Sequence, residues 1–274
     1  MSALLRFDGS VVFWTLSNDS IRQQIVDGWE AISPAWAKLA PRERTPESCL
    51  RDALAIIWPK AILRPLEKRD GFAVLQEMRF KDDVQTTCTH AVAIEDSGVV
   101  IRRGYSWDLL QQIECHYLAE RKLLRPSQVA TALVACMANL NAVMLRPTGG
   151  LYWLPDTSLQ TWAQLADVVQ GAGVGNTIYR ITHAFDNESV RAVRDAILSE
   201  ANRRAAEIIT DIDSGELGER ALRQRSRDAD ALRIKVEEYE RILGEALPGA
   251  RELAERANNA SVAARLIAPA AIAA

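Results

Sequence analysis

Three histidines and four cysteines are all that this chain of 274 residues offers as soft metal ligands or thiol nucleophiles. The cysteines, Cys49, Cys88, Cys115 and Cys136, stand far apart, with no CxxC pair among them. That spacing excludes zinc ribbons and thioredoxin-type redox motifs. It leaves free, mostly buried thiols, as expected in a reducing cytoplasm. A basic excess is lacking as well. The net charge is −3, so the strongly basic footprint that would favour nucleic acid is missing. No apolar run is long enough to span a bilayer comfortably. The longest, residues 129–145, is interrupted by Asn139 and Asn141 and reads as a buried core helix. The opening MSALLRFDGS does not have the charged-then-apolar pattern of a secretory signal. The expectation is a cytoplasmic protein with no membrane partner.

What is present is an ordinary folded composition, 48% hydrophobic and 25% charged, which argues against disorder over most of the length. SVVFWTL (residues 10–16) is β-branched and aromatic and predicts a strand. A helix is expected over about 20–29. TPESC then marks a helix start, with Thr45 as N-cap, Pro46 in the first helical position and Glu47 in the first turn. Between residues 61 and 103 the period becomes two. Four runs, AILRPLEK, FAVLQEMRF, VQTTCTHAVAI and VVIRR, alternate with turn signals that include Asp70-Gly71 and Ser97-Gly98. Loops this short favour sequential hairpins, hence an antiparallel meander. Ser106 and Ser127 are read as caps of two further helices, the second apolar on nearly every face. LYWLP reads as a strand, DTSLQTWAQLADVVQ as a helix and NTIYRITHAF as a strand.

After Asp186 glycine and proline nearly vanish. Asn187 can cap a helix whose apolar residues, Val190, Val193, Ile197, Ala201, Ala205, Ile208 and Ile212, recur at steps of three and four. A second stripe runs Leu222, Ala229, Leu232, Val236, Tyr239, Leu243 and Leu247, a heptad-like seam. At 1.5 Å per residue each arm is roughly 40–45 Å long. Gly215 and Gly218 permit the reversal between them. The expected fold is thus α+β: one antiparallel meander with packed helices, followed by a long antiparallel coiled-coil hairpin. The expected domains are 1–184 (globular), 187–247 (hairpin) and 249–274 (a short helix and a frayed Ala-rich tail).

Candidate chemistry is thin. Cys88 and His90 share a strand face, and Cys115 and His116 are neighbours on a helix, but this is not the clustered spacing of a zinc site. A thiol paired with His116 or His183 has no local signature. The glycines of GAGVGN follow a helix and precede a strand, the reverse of a dinucleotide or phosphate loop, so a helix C-cap explains them better. Asp211, Asp213, Glu216 and Glu219 miss the calcium-loop pattern. The helix–turn–helix rhythm of ERKLLRPSQVATAL presents apolar residues where a reading helix needs polar ones. No catalytic, cofactor or metal residue is therefore assigned. The residues singled out for nucleic-acid or partner contact are Arg102, Arg103, Tyr105, Trp107, Arg121, Lys122, Arg125, Arg146 and Tyr152. They lie at element ends, where basic groups and stacking rings could share an edge.

The segment RPTGGLYWLP, with a helical region ending KVEEYERILGEAL, resembles a group of uncharacterised proteins from phages, plasmids and bacterial genomes, over roughly residues 145–250. The resemblance implies a mobile element or its bacterial host and carries no functional residues. The leading reading is a non-enzymatic interaction or scaffold protein that uses the hairpin for self-association or partner binding. The alternatives are a nucleic-acid-binding protein, of the single-strand-binding or annealing kind, and an enzyme of unrecognised class.

Overall fold

The computed structural model describes residues 9–16, 19–80, 83–96, 98–146, 150–182 and 187–267. The elements are β1 (Gly9–Thr15), β2 (Ser20–Ile21), α1 (Arg22–Ile32), α2 (Pro34–Ala37), α3 (Pro46–Ile57), β3 (Ile62–Pro65), β4 (Gly71–Phe80), β5 (Asp83–Glu95), β6 (Gly98–Arg103), α4 (Trp107–Arg121), β7 (Leu123–Leu124), α5 (Pro126–Asn139), β8 (Val143–Met144), β9 (Tyr152–Pro155), α6 (Asp156–Ala172), β10 (Thr177–Thr182), α7 (Asn187–Asp213), α8 (Glu219–Leu243) and α9 (Pro248–Ile267). The fold is α+β with antiparallel sheets. Among the described residues there are three sheets where one was expected. The chain divides into two compact units. One compact unit takes residues 1–15, 133–166 and 177–274, and the other takes 16–132 and 167–176.

The second unit carries the meander, in the order β3-β4-β5-β6, with every neighbouring pair antiparallel. Phe72, Val92, Ile94, Val99 and Ile101 alternate onto one face, as the period of two requires. There they meet Leu50 and Leu54 of α3 and Ile113 of α4, all three fully buried. Thr45 caps α3 as expected, its hydroxyl accepting from the Ser48 amide at 3.3 Å. Ser106 precedes α4 but makes no capping hydrogen bond. Ser127 is not the cap of α5, because Pro126 already begins the helix. The Gln128 side chain instead reaches back to accept from the Arg125 amide at 3.1 Å.

The first unit is built on the sheet β10-β1-β9-β8. Val11 pairs with Trp153, and Trp153 with Val143, so these three point to one side. That side packs on α7, α8 and α9. On the other side Trp14 stacks on Tyr152 at 5.4 Å and reaches Trp162 of α6 at 6.1 Å. Helices α7 and α8 run antiparallel, tied by Lys235–Glu200 at 3.0 Å and Arg225–Asp211 at 2.7 Å, and Arg194 of α7 pairs with Glu245 just beyond α8 at 2.7 Å. The C-terminal helix, expected to be short, is 20 residues long and packs against both. Its Ala250, Ala254, Ala257 and Ser261 are buried. Such small side chains let a third helix approach closely, so the seam of α7 and α8 is filled from within the chain. The Ala-rich tail beyond 267 lies outside the described residues.

Candidate functional site

The nine residues singled out from sequence are divided between the two units. Tyr152 is buried against Trp14 and, with Arg146, belongs to the first unit, whereas the other seven belong to the second. Arg102 is held by Asp70 at 2.7 Å and Glu95 at 3.1 Å. Arg121 pairs with Glu43 at 3.5 Å and donates to the Tyr117 hydroxyl. Arg125 is locked among carboxylates. That leaves Arg103, Tyr105 and Trp107 exposed where β6 leads into α4, and Lys122 exposed at the far end of α4.

The cysteines and histidines are likewise dispersed. The Cys88 thiol donates to the His90 carbonyl at 3.4 Å, and the His90 ring lies 4.7 Å from Trp58. Burial lowers the His90 imidazole below its ordinary value. Cys115 is exposed on α4. His183 lies outside the described residues, which contain no group of three or more His, Cys, Asp or Glu placed to hold a metal. The glycine loop after α6 has a structural reason: a Cβ at Gly173 would stand 2.7 Å from both Asn176 Nδ2 and Ser20 Oγ. Asn176 spans that gap, donating to Ser20 Oγ at 2.8 Å and to the Val169 carbonyl at 3.0 Å. At the α7–α8 turn, Asp211 and Glu219 are consumed by Arg225 and Arg223.

Two buried charge clusters have no counterpart in the sequence reading. In the second unit Arg44 bridges Asp52 of α3 and Glu120 of α4, and Arg125 joins Asp52, Glu120 and Asp19. Arg44 and Glu120 are 6% and 7% exposed, so each needs its partner. In the first unit Lys235 donates to both Glu200 oxygens at 3.0 Å and to the Ala142 carbonyl at 2.8 Å. Tyr239, one turn on, donates to the Asn141 carbonyl, and Asn141 donates to Glu238 at 2.6 Å. Asn141 takes a left-handed backbone (φ 55°), which asparagine tolerates better than most residues. No motif announces these groups; only their contacts across the fold reveal them.

The first cluster sets an acid sensitivity. Burial pushes the Asp52 carboxyl up, but the Arg125 hydrogen bond and charge, with Arg44 behind them, outweigh it and hold Asp52 below its ordinary value. A carboxylate lowered in the folded state stabilises above its unfolded pKa, and that contribution is lost as pH falls through the folded value. Glu240 behaves alike: burial raises it, and the Arg251 hydrogen bond, the Leu247 amide and the Arg251 charge together outweigh that. Urea midpoints should therefore hold from neutrality to about pH 5 and drop below it. Asp52→Asn should lower the midpoint at pH 7 and make the acid drop shallower. An acid limb as steep as that of the wild type would show that Asp52 does not drive it.

The sequence pattern of one family covers residues 65–267, most of the chain and parts of both units. The chain belongs to that family, DUF6744, a family of unknown function. The match extends well beyond the 145–250 segment that carries the resemblance noted above. No curated protein and no solved structure matches the chain. No described helix is long and apolar enough to cross a membrane. Membership in DUF6744 thus brings no activity, ligand or partner with it.

Proposed function

We propose that this member of DUF6744 is a non-enzymatic interaction protein that receives an acidic partner protein on the outer face of α8. One observation carries the reading. Arg220, Arg223, Arg227, Asp230, Ile234, Glu237 and Arg241 fall on one side of the helix and are all exposed. Arg220, Arg223 and Arg227 line an open depression at the start of α8. Among the described residues the one carboxylate lining it is Glu219, already paired with Arg223. Ile234 extends the face with an apolar side chain 55% exposed. A rigid helix presenting arginines around an apolar centre suits an amphipathic acidic segment. The inner seam is occupied by α9 and by sheet residues, so a partner has the outer face. The resemblance to proteins of phages, plasmids and bacterial genomes is the reason to seek it in such a host, and the four free thiols suit a reducing cytoplasm.

The test compares the full chain with its Arg220→Glu/Arg223→Glu/Arg227→Glu variant as bait in host lysate, with circular dichroism as the folding control. A protein retained by the wild type and lost by the equally folded variant is the expected result. Equal retention, or none, overturns the reading. Retention of oligonucleotides that falls steeply with added salt would turn it to the nucleic-acid alternative.

A further inference from the structure

We propose that the outer face of α4 binds a second copy of this chain, helix against helix and antiparallel. Helix α4 carries apolar side chains on two opposite sides. One side, with Leu109, Leu110, Ile113 and Tyr117, packs into the second unit's core. The other carries Trp107, Gln111, Cys115, Leu118 and Lys122, all exposed. Trp107 is 60% and Leu118 58% exposed, and Tyr105, just before the helix, is 63% exposed. Among the described large apolar residues only Val174 is more exposed than these three. A surface helix normally turns polar residues outward, so Trp107 and Leu118 on one outer face, with Tyr105 beside them, mark a contact surface.

The occupant follows from symmetry and charge. The stripe positions 107, 111, 118 and 122 are symmetric about a point between 114 and 115. An antiparallel copy therefore lays Trp107 over Lys122 of the other chain, and Gln111 over Leu118, twice each. Trp107 and a lysine ammonium make a cation–π pair. Asp108 in the first turn comes beside the other chain's Lys122, where a parallel arrangement would set Asp108 against Asp108. Antiparallel helix dipoles favour the same orientation. Cys115 falls next to the two-fold axis, so the two thiols face each other at the spacing of close-packed helices. Two four-turn helices make a small interface, which predicts a dissociation constant in roughly the micromolar range.

The face belongs to a different helix from the α8 surface, so the two proposals fail independently. Light scattering of the full chain at tens to hundreds of micromolar should give the mass of two chains. A short bismaleimide should join them through Cys115 and not in Cys115→Ser. Trp107→Glu/Leu118→Glu, both at exposed positions, should return the mass of one chain with unchanged helicity. Asp108→Lys and Lys122→Asp should each weaken the dimer about tenfold, since every change acts at two contacts. The double swap should restore it, which only the antiparallel pairing predicts. A single-chain mass for the wild type throughout that range overturns the proposal. So does a two-chain mass in Trp107→Glu/Leu118→Glu, a crosslink that survives Cys115→Ser, or a double swap that stays weak.

Discussion

Glu200→Leu is expected to destabilise the protein by about 3–5 kcal/mol, the usual cost of stranding one partner of a buried ion pair. Lys235 is 6% exposed, and among the described residues its ammonium donates to Glu200 and the Ala142 carbonyl. Leucine at 200 leaves the carbonyl alone, with Arg204, which pairs with Glu200 at 2.9 Å, as an unfavourable neighbour. Removing both charges in Glu200→Leu/Lys235→Met should recover most of the loss. The remaining deficit is the missing donor to Ala142, about 1–3 kcal/mol. Burial already pulls Lys235 below its ordinary pKa, with Glu200 acting the other way. Without Glu200 the folded-state value falls further. Over the range between that value and the unfolded value near 10.4, the unfolded chain then binds the extra proton, so stability rises with pH. The deficit of the single variant should shrink as the buffer is raised from pH 7 to 9.5. Denaturant midpoints of the three proteins at both pH values measure this, and a double variant no better than the single would remove the ion-pair account.

Trp153→Ala should cost a similar amount, about 3–5 kcal/mol, for a different reason. Its indole is fully buried between β1 and β8 and meets the Tyr239 ring edge-on at 5.4 Å. The site is built around it. A Cβ at Gly9 would stand 2.5 Å from the indole, so the neighbouring strand gives up a side chain to make room. Alanine leaves a void that the sheet on one side and three helices on the other cannot close. Trp153→Phe, which keeps a ring, should lose roughly half as much. Thermal midpoints followed by circular dichroism should fall by roughly 6–15 °C for the alanine variant. A shift of less than about 2 °C would mean that the indole contributes little to joining the sheet to the helical layer.

Much of the local structure was legible in the sequence. The period-two runs between 61 and 103 are β3 to β6, and Thr45-Pro46 begins α3, because alternation and capping are properties of a few adjacent residues. The stripes of α7 and α8 were legible for the same reason. The readings that failed required knowledge of what covers a face. SVVFWTL, LYWLP and NTIYRIT read as three separate strands, and nothing local says that β1 sits between β9 and β10, since that pairing joins segments about 140 and 170 residues apart. Ser127 resembled a cap until Pro126 took the first turn. Tyr152 resembled a surface group until Trp14 stacked on it, and Arg125 a free cation until three carboxylates paired with it.

The long helices draw the same line. By itself the sequence determined that residues after 187 form helices with one apolar stripe each, because a 3.6-residue repeat dictates which side chains share a face. It did not determine the partner of that face. Charged residues between the stripes read as solvated flanks, yet Lys235 and Glu200 are enclosed, because the sheet and α9 close over the pair of helices and take water away. Only the tertiary structure decided this, since burial belongs to the neighbours a residue meets and not to the residue.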